Sequence, residues 1–379
     1  MPDTDPRPLV AVLFGGRSSE HSVSCVTAAG VIRAIDETAY RVLPIGITRT
    51  GVWRIVEDWA SMHFDPADMP EVVDNGTEVI PTVSATGAPL LQRDETGAVT
   101  ELDSVDVFFP LLHGQYGEDG TIQGLFELSD TAFVGSGVFA SAASMDKHYT
   151  KSLMAQAGIP TCPWELVTEP MWVADRADAE ARIAGLGFPV FVKPARAGSS
   201  MGVSRVESAA GLDAALRAAF EHDAKVIVEP QVYGREIECA VLGSLHDAEL
   251  RTSLPGEIEV SGDHDFYDFE AKYLDLADAE LTCPARVDEA TTARIRELSA
   301  QVFRLFDCTG LSRVDTFVTE SGEVLINEIN TLPGFTPTSA YPFMWANTGL
   351  DYTDLISELI GIALSDHARS RSAVGGAVG

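Results

Sequence analysis

The chain has 379 residues, a formal net charge of −31 at pH 7 and a hydrophobic content of 45%. Two or three domains are expected, because this length exceeds what one ordinary core fills. The acidic excess argues against nucleic acid as a partner, since a phosphate backbone would be repelled.

The cysteines and the N-terminus indicate the compartment. Five cysteines are scattered without C-x-x-C spacing, which indicates reduced thiols rather than disulfides or a zinc site. The opening residues MPDTDPRP lack the basic and apolar regions of a signal peptide. No run approaches the ~18 apolar residues of a membrane span. We therefore expect a cytoplasmic protein with no membrane partner.

Residues 1–145 are predicted to form a Rossmann-like α/β domain. Its predicted elements are a strand at 9–16 ending in a glycine turn, a serine-capped helix at 18–35, and strands at 40–48, 105–114 and 131–137. Residues 60–104 are rich in Pro, Gly and Asp with weak periodicity, so no element is predicted there.

The remaining chain is predicted to form two further domains and a tail. The range 146–233 is predicted as a small antiparallel domain, with strands at 188–195, 200–207 and 224–230 and a helix at 208–221. The range 234–365 is predicted to hold a strand at 235–243, a polar loop through 255–280, helices at 287–306 and 351–364, and a hairpin from 311. Residues 366–379 are expected to be a disordered tail.

The first glycine turn, FGGRSSEHSVS, suggests an amino-acid site. It lacks the G-x-G-x-x-G fingerprint of dinucleotide binding. A helix N-terminus still offers N–H groups to an anion, and Glu20 beside it could bind an ammonium group. The alternative is that Glu20 only caps the first helical turn.

A glycine-serine loop, ARAGSSMGVSR (195–205), lies between two predicted strands. Its N–H groups and the hydroxyls of Ser199 and Ser200 suit phosphate oxygens, although a flexible hairpin loop is equally common. Lys193 lies inside the preceding strand, where an unpaired ammonium is seldom buried. Lys147 adds a second cation, and a plain surface lysine is the alternative for each.

Two further segments could complete a nucleotide site. Glu229 and Glu236 could accept hydrogen bonds from an adenine amine and ribose hydroxyls, or could simply be edge-strand acids. The aperiodic segment DHDFYDFEAKYLD (263–275) contains Lys272 and Tyr273. It is typical of a lid that closes over a site and excludes water.

The segment LSRVDTFVTESGEVLINEINTLPG (311–334) predicts a hairpin that carries metal ligands. A two-residue turn at Ser321-Gly322 would place Asp315 opposite Glu328 and Arg313 opposite Asn330. Opposite Cβ atoms lie roughly 5 Å apart, and the Asp, Glu and Asn oxygens suit Mg²⁺ shared with phosphates. The alternative is an ordinary solvated hairpin face.

Together these features describe an ATP site without a protein nucleophile. Its parts are three candidate phosphate cations (Lys147, Lys193 and Lys272), the glycine-serine loop, the acids and the metal hairpin. Such a set favours phosphoryl transfer to the substrate itself, in which positioning and charge neutralisation supply most of the catalysis.

Seven motifs, in order over about residues 9–363, carry a family resemblance. They are FGGRSSEHSVS, HGQYGEDGTIQG, SMDK, VKPARAGSSMGVS, EAKY, SRVD and NEINTLPGFTPTS, and together they resemble the D-alanine–D-alanine ligase family of the ATP-grasp superfamily. The resemblance implies an α/β and α+β ATP-grasp fold with a Rossmann-like N-terminal, a central antiparallel and a C-terminal catalytic domain. It also implies D-alanine and ATP as substrates, two Mg²⁺ ions or Mn²⁺ in their place, a homodimer and a role in peptidoglycan precursor synthesis.

The resemblance implies a role for each matched residue. Glu20 would hold the ammonium of the first D-alanine, with His113 nearby, and Ser339 would bind the carboxylate of the second. Lys147, Lys193 and Lys272 would bind phosphates, and Ser200, Val232, Glu229 and Glu236 belong to the same ATP site. Ser199, Tyr273 and Glu20 would form a hydrogen-bonded chain, while Arg313 and the Gly334 N–H would stabilise the oxyanion. Asp315, Glu328 and Asn330 would hold the metals, with Glu328 bridging.

Three alternatives stay open on the sequence. A D-alanine–D-lactate ligase is the nearest, and the EAKY tyrosine Tyr273 argues against it. A non-catalytic nucleotide sensor would not need the full set of lysines and metal ligands. A nicotinamide dehydrogenase is disfavoured by the missing glycine fingerprint.

Overall fold

The computed structural model describes residues 5–84, 89–198, 201–260 and 279–375. Three separate sheets occupy successive parts of the chain. Within the described residues, no helix is both long and apolar enough to cross a membrane.

The first sheet has eight strands. Its elements are β1 (Leu9–Gly15), α1 (His21–Ala34), β2 (Arg41–Ile47), β3 (Trp53–Ile55), β4 (Glu78–Pro81), β5 (Leu90–Arg93), β6 (Val99–Glu101), β7 (Val107–Pro110), α2 (Thr121–Leu128), β8 (Ala132–Phe133) and α3 (Val138–Met145). The order is β6-β5-β4-β3-β2-β1-β7-β8, with β2, β1, β7 and β8 parallel. Every residue of β1 is buried, as expected for a parallel strand covered on both faces.

Two sequence predictions change in this domain. Part of the undetermined range 60–104 forms the antiparallel strands β4, β5 and β6, which extend the sheet beyond β3. Helix α1 begins at His21, later than predicted, and no serine caps it. The Ser18 hydroxyl instead accepts from the Glu20 N–H at 3.2 Å, which makes a turn ahead of the helix.

The second sheet is small and antiparallel, as predicted. Its elements are α4 (Lys147–Gln156), β9 (Glu165–Thr168), α5 (Glu169–Ala174), α6 (Arg176–Leu186), β10 (Val190–Pro194), β11 (Ser204–Val206), α7 (Leu212–Phe220) and β12 (Lys225–Pro230). The order is β11-β10-β12-β9, over a core of its own. Pairing of β9 with β12 completes an edge that the sequence did not predict.

The third sheet has six strands and carries the hairpin. Its elements are β13 (Gly234–Gly243), β14 (Arg251–Thr252), β15 (Gly256–Val260), β16 (Ala279–Thr282), α8 (Glu289–Leu305), β17 (Gly310–Thr319), β18 (Val324–Asn330), α9 (Ala340–Thr348) and α10 (Tyr352–Gly375). The order is β16-β15-β13-β17-β18, and β14 pairs with β13. One core joins the first and third domains, since Phe14 of β1 and Ile356 of α10 belong to it.

The hairpin has the predicted facing pairs but a different turn. Thr319 N donates to Glu323 O, so residues 320–322 form a three-residue turn with Gly322 at φ +83°. A bulge at Asn327 then restores the register. The two deviations cancel, and the predicted pairing of Asp315 with Glu328 is confirmed.

The predicted disordered tail is wrong for residues 366–375. Helix α10 continues through Gly375 because polar contacts hold its last turns. Asp366 accepts hydrogen bonds from Ser244 and Thr309 at 2.8 and 2.6 Å. His367 lies 3.1 Å from Asp130.

Candidate active site

A cavity of about 770 Å³ is lined by residues of all three domains. It collects thirteen of the predicted site residues: Glu20, His113, Lys147, Lys193, Glu229, Val232, Glu236, Arg313, Asp315, Glu328, Asn330, Gly334 and Ser339. The other predicted residues, Ser199, Ser200, Lys272 and Tyr273, lie outside the described residues. The structure therefore brings the described candidates together, while their individual roles stay predictions.

Glu20 lies at the junction of two glycine loops. It is buried at the start of α1 and makes no capping hydrogen bond there. A Cβ atom added at Gly114 would lie 3.0 Å from the Glu20 Oε2 atom, and one at Gly198 would lie 3.8 Å from it. The Glu20 carboxylate therefore lies close to the backbone of both loops, while its predicted hydrogen bonds with Ser199 and Tyr273 stay a prediction.

His113 is buried and lies close enough to Glu20 for the two side chains to interact electrostatically. Burial lowers the pKa of His113, although the nearby Glu20 carboxylate and a hydrogen bond with the Leu332 backbone raise it. No hydrogen-bond partner for its buried Nε2 atom occurs among the described residues. This nitrogen is therefore available to a polar group of a substrate.

Glu118 is a cavity residue that the sequence reasoning missed. Its carboxylate accepts a hydrogen bond from Gly114 N. Burial and the nearby Glu20 carboxylate raise the pKa of Glu118 to about 8. The sequence does contain an indication of this residue, because the second motif includes the acidic run GEDG, to which no role was assigned.

Lys151, Glu229 and Lys193 form an ion-paired cluster, called the lysine trio below, in which Glu229 and Lys193 line the cavity and Lys151 lies buried behind them. Glu229 lies 2.5 Å from Lys151 and 2.8 Å from Lys193. Burial would raise the pKa of Glu229, but the two ammonium groups lower it to about 2. Lys151 was not predicted, although it lies only four residues after Lys147. Since Glu229 faces two lysines, its predicted contact with adenine stays a prediction.

Lys147 links α4 to the glycine-serine loop and the hairpin. Its N–H donates to Ala195 O at 2.9 Å, and its Nζ donates to Ala197 O at 3.0 Å. The same Nζ lies 3.6 Å from Glu328 Oε2. Lys147 is thus a cation beside a residue predicted to bind metal, and its own contact with phosphate stays a prediction.

The hairpin cluster consists of Arg313, Asp315, Glu328, Asn330 and Glu238, the last contributed by β13. Two Arg313 nitrogens donate to the two Asp315 oxygens at 2.7 Å, and Arg313 Nε lies 3.1 Å from Glu238. Burial alone would lower the pKa of Arg313, whereas the Asp315 and Glu238 carboxylates raise it. Glu238 was not predicted, although it lies two residues after Glu236 and therefore on the same face of the strand.

Gly334 and Ser339 are adjacent at the far end of the hairpin. A Cβ atom added at Gly334 would lie 3.2 Å from the Ser339 Oγ atom. This Oγ accepts a hydrogen bond from Thr336 N at 3.0 Å. The hydroxyl is therefore held beside the backbone that the sequence predicted to face the reaction centre.

The fold and the cavity define an ATP-grasp enzyme, in which an antiparallel central sheet and a catalytic sheet enclose a site of lysines and carboxylates. A family model described as the D-ala D-ala ligase N-terminus matches residues 9–136, and its C-terminus counterpart matches residues 153–361. The chain belongs to the D-alanine–D-alanine ligase family and is a ligase.

Individual relatives are similar to this chain over nearly its full length. The D-alanine–D-alanine ligase of Kineococcus radiotolerans is 54% identical, over 95% of this chain and 98% of that relative. The D-alanine–D-alanine ligase structure from Coxiella burnetii has a TM-score of 0.80 at 30% identity, over 98% and 97% of the two chains. The VanG D-Ala:D-Ser ligase of Enterococcus faecalis has a TM-score of 0.78 at 36% identity, over 94% and 99%.

Proposed function

We propose that this chain joins two D-alanines to D-alanyl-D-alanine at the expense of ATP, through a D-alanyl phosphate, for peptidoglycan precursor synthesis. The observation that supports this most is the convergence of the ammonium, phosphate and metal candidates on one cavity. A sequence relative of the same family at 54% identity and a structural relative at 30% identity with a TM-score of 0.80 support it further.

The chemistry follows from the poor reactivity of a carboxylate as an acyl donor. A carboxylate oxygen of the first D-alanine attacks the γ-phosphorus of ATP, and ADP leaves. The amine of the second D-alanine then attacks the acyl carbon, and inorganic phosphate leaves with the bridging oxygen. Holding both substrates in one closed site makes the second attack effectively intramolecular.

The chain supplies binding and charge for these steps. Glu20 holds the ammonium of the first D-alanine, and His113 lies beside it. Lys147 and Lys193, with Lys272, hold the phosphates. Arg313 and the Gly334 N–H stabilise the charge that develops on the tetrahedral oxygen.

Further residues of the proposal orient the second substrate. Ser339 binds its carboxylate. Ser199 and Tyr273 connect to Glu20 and orient its amine. Ser200, Val232, Glu229 and Glu236 complete the nucleotide site.

Asp315, Glu328 and Asn330 are proposed to hold two Mg²⁺ ions, for which Mn²⁺ could substitute. The donors fit, because hard oxygen ligands from facing strands point into the cavity near the phosphate cations. The bound metals supply charge neutralisation of the phosphates. Arg313 and Lys147 balance the same carboxylates in the structure described here.

The acceptor is proposed to be D-alanine rather than D-serine or D-lactate. One structural relative is a D-Ala:D-Ser ligase, so D-serine is a second candidate acceptor. D-alanine is favoured because the relatives at 54% identity are named for it. Tyr273 also favours an amine over the hydroxyl of D-lactate.

The test is phosphate release from ATP and Mg²⁺, with products identified by mass. D-alanine alone should stimulate release and yield the dipeptide, whereas L-alanine should not. D-serine and D-lactate added in excess should be minor acceptors at neutral pH. ATP turnover that D-alanine does not stimulate would refute the proposed function.

We also propose a cytoplasmic homodimer. All five cysteines are unpaired in the structure, in keeping with a reducing compartment. The dimer is proposed from the family, and light scattering at several concentrations tests it. A mass of one chain at every concentration would contradict it.

A further inference from the structure

The turn that precedes β12 holds both ends of the glycine-serine loop. At the first end, Asp223 accepts from Arg196 N at 2.9 Å, from Arg196 Nε at 3.0 Å and from Arg196 Nη2 at 2.6 Å. It also accepts from Lys225 N at 3.2 Å. Asp223 is 3% exposed at the side chain, whereas Arg196 is 53% exposed, so the carboxylate is fixed and the arginine closes over it.

The second end packs against the neighbouring residue of the same turn. Gly202 has φ +71°, and a Cβ atom there would lie 2.5 Å from the His222 ring and 2.9 Å from Pro194. A side chain at position 202 would therefore collide with His222 and Pro194 unless these residues moved. The loop backbone therefore lies directly on the turn at both ends.

The same turn is tied to the helix that carries Lys147. Lys225 pairs with Asp146, which also accepts from the N–H groups of His148 and Tyr149 at the start of α4. Ala195 N donates to Lys225 O at 2.9 Å, while Lys147 N donates to Ala195 O. Loop, turn and helix start form one hydrogen-bonded unit.

Neither Asp223 nor Arg196 belongs to the lining of the cavity, which includes Ala197, Gly198 and Met201 from the loop. Their interactions thus act through the loop and not on a ligand. A bidentate arginine-carboxylate pair fixes position and angle together. That precision is more than a solvent-exposed turn needs.

We propose that Asp223 is a positioning residue, which with the His222 contact fixes the described loop residues that line the cavity, Ala197, Gly198 and Met201. This inference rests on the proposed function, in which these residues border the phosphates of ATP and of the acyl phosphate. Displacement of these residues widens the cavity and admits water to the intermediate. Water then attacks in place of the amine, and the products are D-alanine and phosphate instead of dipeptide and phosphate.

The experiment uses the full chain with three variants and two controls. Asp223→Asn and Arg196→Gln weaken the first anchor, and Gly202→Ala disturbs the second. Asp213→Asn is the first control, because Asp213 pairs with Arg176 and Arg217 in the same domain, away from the loop.

The second control matches the backbone strain of the glycine variant. Gly187→Ala places alanine at a similar φ of +82°, but a Cβ atom there meets nothing within 4 Å. Any difference between the two alanine variants is therefore assigned to the contacts with His222 and Pro194 and not to the positive φ.

Two quantities are measured for each protein: the Kd of a non-hydrolysable ATP analogue, and the phosphate released per dipeptide formed. We expect the Asp223 and Gly202 variants to bind the analogue about tenfold more weakly, and to release about twice as much phosphate per dipeptide. Arg196→Gln should show the same change to a smaller extent. Both controls should match the wild type.

Unchanged Kd and unchanged coupling in all three anchor variants would overturn the inference, as would equal changes in the controls. Because Kd does not depend on turnover, it tests the anchor even if D-alanine is not the substrate. Wild-type protein that binds the analogue but forms no dipeptide would refute the proposed function alone.

Discussion

The lysine trio, through Glu229 and Lys193, borders the same cavity as the hairpin cluster, and the two groups carry opposite excess charge. The trio has two ammonium groups around one carboxylate, and each carboxylate oxygen forms an ion pair with one of them. The hairpin cluster, with Lys147 beside it, has three carboxylates against one guanidinium and one ammonium.

The difference predicts that the two sides of the cavity bind ligands of opposite charge. Excess positive charge on the central sheet suits the phosphates of ATP, and excess negative charge on the catalytic sheet suits divalent cations. Each side would repel the ligand of the other. The boundary between them is where β- and γ-phosphate would meet metal.

The largest effect is expected from the negative side. Glu328→Gln removes the carboxylate predicted to bridge the metals, and we expect the turnover to fall by about 10³-fold or more with the fold intact. Turnover is followed as dipeptide formed, and the fold by circular dichroism. Glu323→Gln changes an exposed residue directly after the turn of the same hairpin; it is the control and should be near normal. Near-normal rates for the Glu328 variant would refute the metal assignment.

A second change breaks the positive side. Lys151→Met leaves Glu229 paired with Lys193 alone, so the trio loses its excess charge. Breaking a buried pair costs about 3 kcal/mol, and we expect the free energy of unfolding to fall by that amount and the KM for ATP to rise. Chemical denaturation and ATP titrations measure both. A loss below about 1 kcal/mol would show that the trio is not a coupled unit.

The pH dependence of stability sharpens the same comparison. The pKa of Glu229 is lowered from 4.5 to about 2 in the folded protein, so its contribution is present above pH 4.5 and is lost as the pH falls toward 2. Between pH 6 and pH 3 this loss amounts to about 2 kcal/mol. Glu229→Gln should therefore lose less stability than the wild type over this range. Parallel curves in urea denaturation would contradict the prediction.

The smallest effect is expected for the choice of acceptor substrate, which neither the lysine trio nor the hairpin cluster determines. Tyr273→Phe removes a hydroxyl predicted to orient the second amine. We expect the ratio of D-lactate to D-alanine incorporation to rise about fivefold, a change of roughly 1 kcal/mol. Competition between the two acceptors, with products weighed by mass spectrometry, measures the ratio. An unchanged ratio would remove Tyr273 from this role.

Local patterns predicted the elements that carry the site. Alternating apolar residues and a turn signal located β17 and β18, and the facing pair Asp315 and Glu328 is confirmed despite the wrong turn. Two cancelling shifts, a longer turn and the bulge at Asn327, leave no trace in residue periodicity. In this hairpin the facing pair was therefore predicted correctly although the turn type was not.

Other features depend on contacts between distant segments. The sequence pattern did not indicate Lys151 or Glu238, because a lone lysine or glutamate is typical of a surface position. The structure shows that each is paired with a residue distant in sequence, Lys151 with Glu229 and Glu238 with Arg313. Helix α10 likewise extends past residue 364 because Asp366 meets Ser244 and Thr309. Composition alone cannot indicate such pairings.

The most direct test of the account is to follow an oxygen atom. D-alanine labelled with ¹⁸O in its carboxylate is incubated with ATP and Mg²⁺, and the released phosphate is analysed by mass. Attack by the carboxylate on the γ-phosphorus predicts one labelled oxygen in each phosphate released with dipeptide. Phosphate without label, alongside normal dipeptide formation, would contradict the acyl phosphate and the arrangement of charges proposed to make it.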